Sequence, residues 1–114
     1  MLRATTTTRG KSDMSKVSMV ATFTCADGKN DEMDAALAAQ VAAAADLEGV
    51  EVYSYHRGEG NNYSFFALFT SMESLQDHGQ ADSLKDVMPV FMSLLGSPPQ
   101  MSMYSPVAAT GLDL

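Results

Sequence analysis

Between Val17 and Cys25 the chain alternates. Val17, Met19, Ala21, Phe23 and Cys25 fall on one face, and Ser18, Val20, Thr22 and Thr24 on the other. A period of two predicts a strand. Asp27-Gly28 is a turn signal, and Asn30 can then cap a helix whose first turn carries Asp31 and Glu32, acids that the helix dipole favours there. Met33, Leu37, Val41 and Ala44 recur at helical spacing through an Ala-rich stretch that Gly49 stops. Small alanines let such a helix lie close against a sheet. A second strand follows from Val50 to about Arg57, and Gly58-Glu59-Gly60-Asn61-Asn62 reads as a hairpin loop.

The third strand, Tyr63 to Thr70, is apolar on both faces: Phe65, Ala67 and Phe69 on one, Phe66 and Leu68 on the other. Such a strand needs a layer on each side. The chain supplies one layer of helices, so the second is expected from another subunit, which predicts a homodimer. Thr70-Ser71-Met72-Glu73 fits a capping box, opening a short helix that Gly79 ends at His78. After Asp82 an apolar helix carries Leu84, Val87, Met88, Phe91, Met92 and Leu95, with Pro89 either kinking it or starting a new helix. Gly96-Ser97-Pro98-Pro99 breaks it, and Met101 to Val107 is a plausible last strand. The order β-α-β-β-α-β is the ferredoxin-like split arrangement, an α+β fold with an antiparallel sheet.

Composition narrows the function. The chain has 114 residues, 46% of them apolar and 18% charged, which is enough to fill one globular core and leaves no room for two. Seven basic against fourteen acidic residues give a net charge of −7, which argues against nucleic-acid or anionic-membrane partners. No apolar run reaches the roughly 20 residues that span a bilayer. The single Cys25 excludes an internal disulfide and suits a reducing, cytoplasmic setting. With two His and one Cys a structural zinc site is not expected. Residues 1–16 differ from the rest: Thr5 to Thr8 are all threonine, and Arg3, Arg9 and Lys11 precede the first acid, Asp13. They read as a flexible extension, with Met14 a candidate start and an organelle transit peptide the alternative. Residues 17–107 would form the domain and 108–114 a tail.

Gly49-Val50, then Tyr53-Ser54-Tyr55-His56, then Phe65-Phe66-Ala67-Leu68-Phe69-Thr70-Ser71-Met72-Glu73-Ser74-Leu75-Gln76-Asp77-His78, and later Gly96-Ser97-Pro98-Pro99 before a Met/Tyr-rich strand, resemble the antibiotic biosynthesis monooxygenase family. The resemblance spans about residues 16 to 107. It implies a dimeric α+β barrel of two packed ferredoxin-like sheets. It also implies, for the quinone-forming members, oxidation of reduced polycyclic aromatics by molecular oxygen with no metal or flavin cofactor. Tyr55 matches a pocket tyrosine of those members. Phe69 stands at a frequent Trp position, Phe65 at a pocket Asn and Ala67 at the family's Glu. Ala21 lies near the Asn that haem-degrading relatives carry, so haem degradation is not implied.

Such chemistry asks the protein only to bind, orient and tune a flat substrate: an apolar pocket, a hydrogen-bond donor for the developing oxyanion and a nearby base. If the 58–62 loop pairs Tyr55 with Phe65, then Tyr53, Tyr55, Phe65, Ala67 and Phe69 share one face and His56 points to the other. Tyr55 and His78 are the candidate catalytic residues, and Tyr53, Phe65 and Phe69 the candidate substrate contacts. Each has a plain alternative: a half-buried strand tyrosine for Tyr53 and Tyr55, core packing for the phenylalanines, and a helix-end cap for His78, where the dipole favours the protonated ring. His56 reads as an exposed strand end or dimer contact. Met88, Met92, Met101 and Met103 read as core, with pocket lining the alternative. Gly58-x-Gly60 is a hairpin and not a phosphate loop, and Asp31, Glu32 and Asp34 are a solvated first turn and not a metal site. The function expected is oxidation of a hydrophobic quinol- or anthrone-like aromatic. The alternatives are a non-catalytic dimeric binding or stress-response protein, and an isomerase on a small polar metabolite, for which the pocket carries too few polar groups.

Overall fold

The computed structural model describes residues 15–114, so most of the threonine-rich leader and Met14 lie outside the described residues. The chain runs β1 (Val17–Thr24), α1 (Asn30–Ala44), β2 (Val50–Arg57), β3 (Asn62–Phe69), α2 (Met72–Gly79), α3 (Asp82–Lys85), α4 (Met88–Ser93) and β4 (Gln100–Tyr104). The strands form one antiparallel sheet in the order β2-β3-β1-β4. The fold is α+β and ferredoxin-like, with the second helical segment broken into three pieces. Pro89 opens α4 in its first turn, where a missing N–H costs nothing.

Register follows the pattern of side chains. Tyr55 pairs with Phe65 and Tyr53 with Ala67, while Phe65 and Ala67 pair on their other side with Ala21 and Met19. Met19 and Ala21 in turn pair with Met103 and Met101 of β4. One sheet face therefore carries Phe23, Tyr53, Tyr55, Phe65 and Phe69, and the core is built on it with Met33, Leu37 and Phe91.

Local details differ from the sequence reading. The face of α1 turned to the core is Met33, Ala36, Leu37, Gln40 and Ala44, and Val41 is exposed. In an alanine-rich helix apolar periodicity is a weak guide, and spacings of four, three and four place position 40 on the stripe, not 41. Asn30 does not cap α1 with its side chain. Its amide instead donates to the Gly60 carbonyl and the Tyr63 hydroxyl, each at 3.2 Å, tying the helix start to the hairpin. The helix ends at Ala44, five residues before Gly49. Ser71, not Thr70, caps α2, its Oγ accepting from the Ser74 N–H at 3.1 Å. The last strand stops at Tyr104, and no helix or strand follows it.

On the other sheet face Leu68 is already 1% exposed within the chain, whereas Tyr104 is 56% exposed and Val20 and Phe66 are partly so. The apolar surface exposed on this face is centred on Phe66, Val20 and Tyr104, and Leu68 does not contribute to it.

Candidate functional site

Gly49 sets the geometry at one end of the site. Its φ is +85°, a region in which a Cβ is strained, and a Cβ there would stand 2.1 Å from Ser74 Oγ and 2.6 Å from Ser74 Cβ. The missing side chain lets α2 lie against the start of β2, and Thr70 N–H donates to the Gly49 carbonyl at 2.9 Å. That approach brings His78, in the last turn of α2, over the inner-face aromatics of β2 and β3. The Tyr53 hydroxyl and His78 Nε2 are 2.9 Å apart. The His78 ring also stacks at a tilt on Tyr53 and Phe69, both with centroids 5.2 Å away.

These side chains border an apolar cavity of about 220 Å³ between the sheet and α4. Tyr53, Tyr55 and Phe65 form the aromatic wall, with Phe23 and Phe91 continuing it. His78 supplies the imidazole, Met88 and Met92 come from α4, and Ala21 and Met101 complete the β1–β4 side. The wall is interlocked by ring contacts: Tyr53 meets Phe65 edge-on at 4.8 Å, Tyr55 meets Phe65 at 4.6 Å, and Phe23 meets Phe91 edge-on at 5.2 Å. A second cavity of about 320 Å³ shares His78, Met88 and Met92 and adds Gly79, Ala81, Leu84, Lys85 and Pro89. His78 and the two methionines thus stand where the two cavities meet.

Burial decides the protonation of the polar groups. Desolvation pushes the pKa of Tyr53 and Tyr55 above the ordinary phenol value, so both stay neutral. Desolvation lowers the pKa of His78. This reverses the expectation from the helix dipole: the ring is half-buried among aromatics, and losing water costs the imidazolium more than the helix end returns. At neutral pH the site holds an unprotonated imidazole and two phenols.

Tyr55, Tyr53 and Phe65, singled out in the sequence, stand together on the cavity wall, joined there by His78. Phe69 does not line the cavity; it is fully buried beneath His78. His56 is on the opposite sheet face, exposed, 3.0 Å from Ser54 Oγ. Met88, Met92, Met101 and Met103 are not core: all four are substantially exposed, and the first three edge the cavity. Phe23 and Phe91 are wall residues that sequence reasoning left unassigned, although Phe23 belongs to the same alternating face as Ala21. Gln40 was also missed. It is fully buried on α1 and its Oε1 accepts a hydrogen bond from the Tyr55 hydroxyl. The available signal was a polar residue between Leu37 and Ala44 on the Met33, Ala36, Leu37, Ala44 stripe. A second polar cluster, also unforeseen, joins Tyr63 Oη to Asp34 Oδ1 at 2.6 Å and Arg57 to Asp34 Oδ2 at 2.8 Å. The Tyr63 hydrogen bond, then Arg57, holds the Asp34 carboxyl below its usual range, and the cluster fastens α1 to the hairpin. Among the described residues no group of three His, Cys, Asp or Glu is arranged to hold a metal ion, and no helix is long and apolar enough to cross a membrane.

The profile of the antibiotic biosynthesis monooxygenase family matches residues 16–90, and the chain belongs to that family. Solved structures share the fold at low identity. A candidate antibiotic biosynthesis monooxygenase from Caulobacter crescentus CB15 is 24% identical, with a TM-score of 0.74 over 87% of this chain and 96% of that one. SnoaB, a cofactor-independent oxygenase from Streptomyces nogalater, is 15% identical, with a TM-score of 0.75 over 86% and 99%. Rv0793 from Mycobacterium tuberculosis is 18% identical, with a TM-score of 0.75 over 85% and 100%. No curated protein sequence gives a significant match.

Proposed function

We propose that this protein is a cofactor-independent monooxygenase that oxidises a hydrophobic, quinol- or anthrone-like aromatic with molecular oxygen. The observation that carries the reading is the cavity: aromatic walls that accept a flat ring, with the two tyrosines and a neutral imidazole as its polar groups. Family membership and the fold shared with SnoaB supply the reaction class.

In this reading Phe65 and Tyr53 hold the ring by stacking, and Phe69 acts from below by fixing His78. Tyr55 contacts a hydroxyl oxygen on the substrate's ring system. His78, unprotonated and in hydrogen-bond contact with Tyr53, takes the proton that activates the ring system. The resulting carbanion is the reductant. For an anthrone, the ring CH2 and O2 become a ring C=O and one water: carbon gives up four electrons, one oxygen atom enters the product and the other leaves reduced. The protein's part is to desolvate the anion and aim the reacting carbon.

The protein acts as a homodimer in this reading, joined through the sheet face that carries Val20, Phe66 and Tyr104. It needs no nucleic-acid or membrane partner. Oxygen uptake by protein stripped of metal and flavin, with anthrones and dihydroxynaphthalenes, tests the reading. Uptake well above the spontaneous rate that falls in Tyr55→Phe is expected. No uptake with any of these substrates would move the function to non-catalytic binding of an aromatic ligand.

A further inference from the structure

Gln40 is a polar side chain on the buried stripe of α1. Its side chain is fully buried on α1, its Oε1 accepts the Tyr55 hydroxyl hydrogen, and its Nε2 has no partner among the described residues. An unmet buried donor is costly, so a leucine or methionine on this stripe would favour folding more. What the amide does is commit the single Tyr55 proton. With that proton held on Oε1, the phenol oxygen has only lone pairs left to offer, and Tyr55 faces the cavity as an acceptor. The other cavity phenol, Tyr53, is engaged with His78 and also interacts with the Tyr55 hydroxyl, which leaves one Tyr55 lone pair for a ligand.

We infer that Gln40 is a positioning residue that fixes the hydrogen-bond polarity of Tyr55, and that the site therefore selects aromatics bearing a free hydroxyl over their methyl ethers. This rests on the cavity being the substrate site, and it deepens that reading by naming the group recognised: a phenolic O–H that donates to Tyr55. The reverse amide orientation would have Nε2 donating to the phenol, turning Tyr55 into a donor that prefers an ether or a ketone. The two arrangements predict opposite selectivity, which makes the inference testable without turnover.

The test is calorimetric titration of the full chain with 1-naphthol and with 1-methoxynaphthalene, a pair matched in rings and differing in the donor. One hydrogen bond of this kind is expected to give naphthol about a tenfold advantage. Tyr55→Phe, which keeps the ring, should bring the ratio to near one. Gln40→Met should shrink the ratio to a few-fold, because the freed hydroxyl then rotates and serves both ligands, while the methyl ether binds no worse than before. Tighter binding of the ether by the wild type, or a ratio unchanged in both variants, would overturn the inference. Binding of neither ligand would overturn it together with the cavity assignment. Selective binding without oxygen uptake would sustain it and sink the oxygenase reading alone. If Gln40→Met does not fold, the wild-type ratio and Tyr55→Phe still decide between the two polarities.

Discussion

Gly49→Ala isolates the contact that sets α2, and with it His78, against the sheet. Two costs are separable. The backbone at φ +85° strains any residue with a Cβ, at about 1–2 kcal/mol. The new methyl also lands 2.6 Å from Ser74 Cβ and 2.1 Å from its Oγ. The Oγ can turn away but the Cβ cannot, so α2 must shift, at a further cost of about 1–3 kcal/mol, the range for overpacking. The sum is about 3 kcal/mol, which for a domain near 100 residues lowers Tm by about 12–24 °C at roughly 4–8 °C per kcal/mol. Urea denaturation of the wild type, Gly49→Ala, Ser74→Gly and the double variant separates the two costs in one thermodynamic cycle. In the Ser74→Gly background the alanine should cost the backbone strain and only the milder contact with Thr70 Oγ1 at 3.0 Å. A cost below about 0.5 kcal/mol for Gly49→Ala, the size of an ordinary surface change, would refute the reasoning. So would a cost that stays the same when Ser74 is removed, because the steric part would then be absent.

Three other outcomes are expected. Because burial lowers the His78 pKa below its ordinary 6.5, the unfolded state binds the extra proton first. The stability tied to the neutral ring is complete above that value and falls as pH drops below it, so urea midpoints at pH 7.5 and 5.5 should differ less in His78→Gln than in the wild type; equal differences would show no such linkage. Ala21 borders the cavity between Phe65 and Met101, so Ala21→Leu should place its added carbons in the void. Calorimetry should then show at least tenfold weaker aromatic binding with stability changed by about 1 kcal/mol or less; unchanged binding would place the ligand elsewhere. Phe66→Glu should convert a dimer to a monomer in sedimentation at micromolar concentration, and a wild type that already sediments as a monomer would contradict the proposed sheet-to-sheet contact.

Strand faces and hairpin register were legible in the sequence because a period of two admits only two assignments, and the Gly58–Asn62 loop selects one. That alone places Tyr53, Tyr55 and Phe65 on one face of the sheet. Long-range events were not legible. The charge state of His78 depends on Tyr53 and Phe69, which local pattern does not bring near it, so the helix-end rule pointed the wrong way. Phe69 reads as a pocket residue by alternation, yet α2 covers it, and coverage is a tertiary fact. The same holds for Leu68 on the opposite face. The Ala-rich helix carried too little contrast to show its buried stripe, which concealed Gln40. Asp34, Arg57 and Tyr63 lie in three separate elements, each ordinary alone, and only the fold assembles them.

In the proposed reaction, the cavity of Tyr53, Tyr55 and His78 is where oxygen meets an aromatic. Mass analysis of the quinone formed from a ring-hydroxylated anthrone under 18O2, by protein free of metal and flavin, compares wild type with the cavity-filled Ala21→Leu. One oxygen atom introduced from 18O2 per quinone is expected in the wild type, formed well above the spontaneous rate, with that excess largely lost in Ala21→Leu. Equal labelled product from both proteins, or none above the spontaneous rate from either, would contradict it.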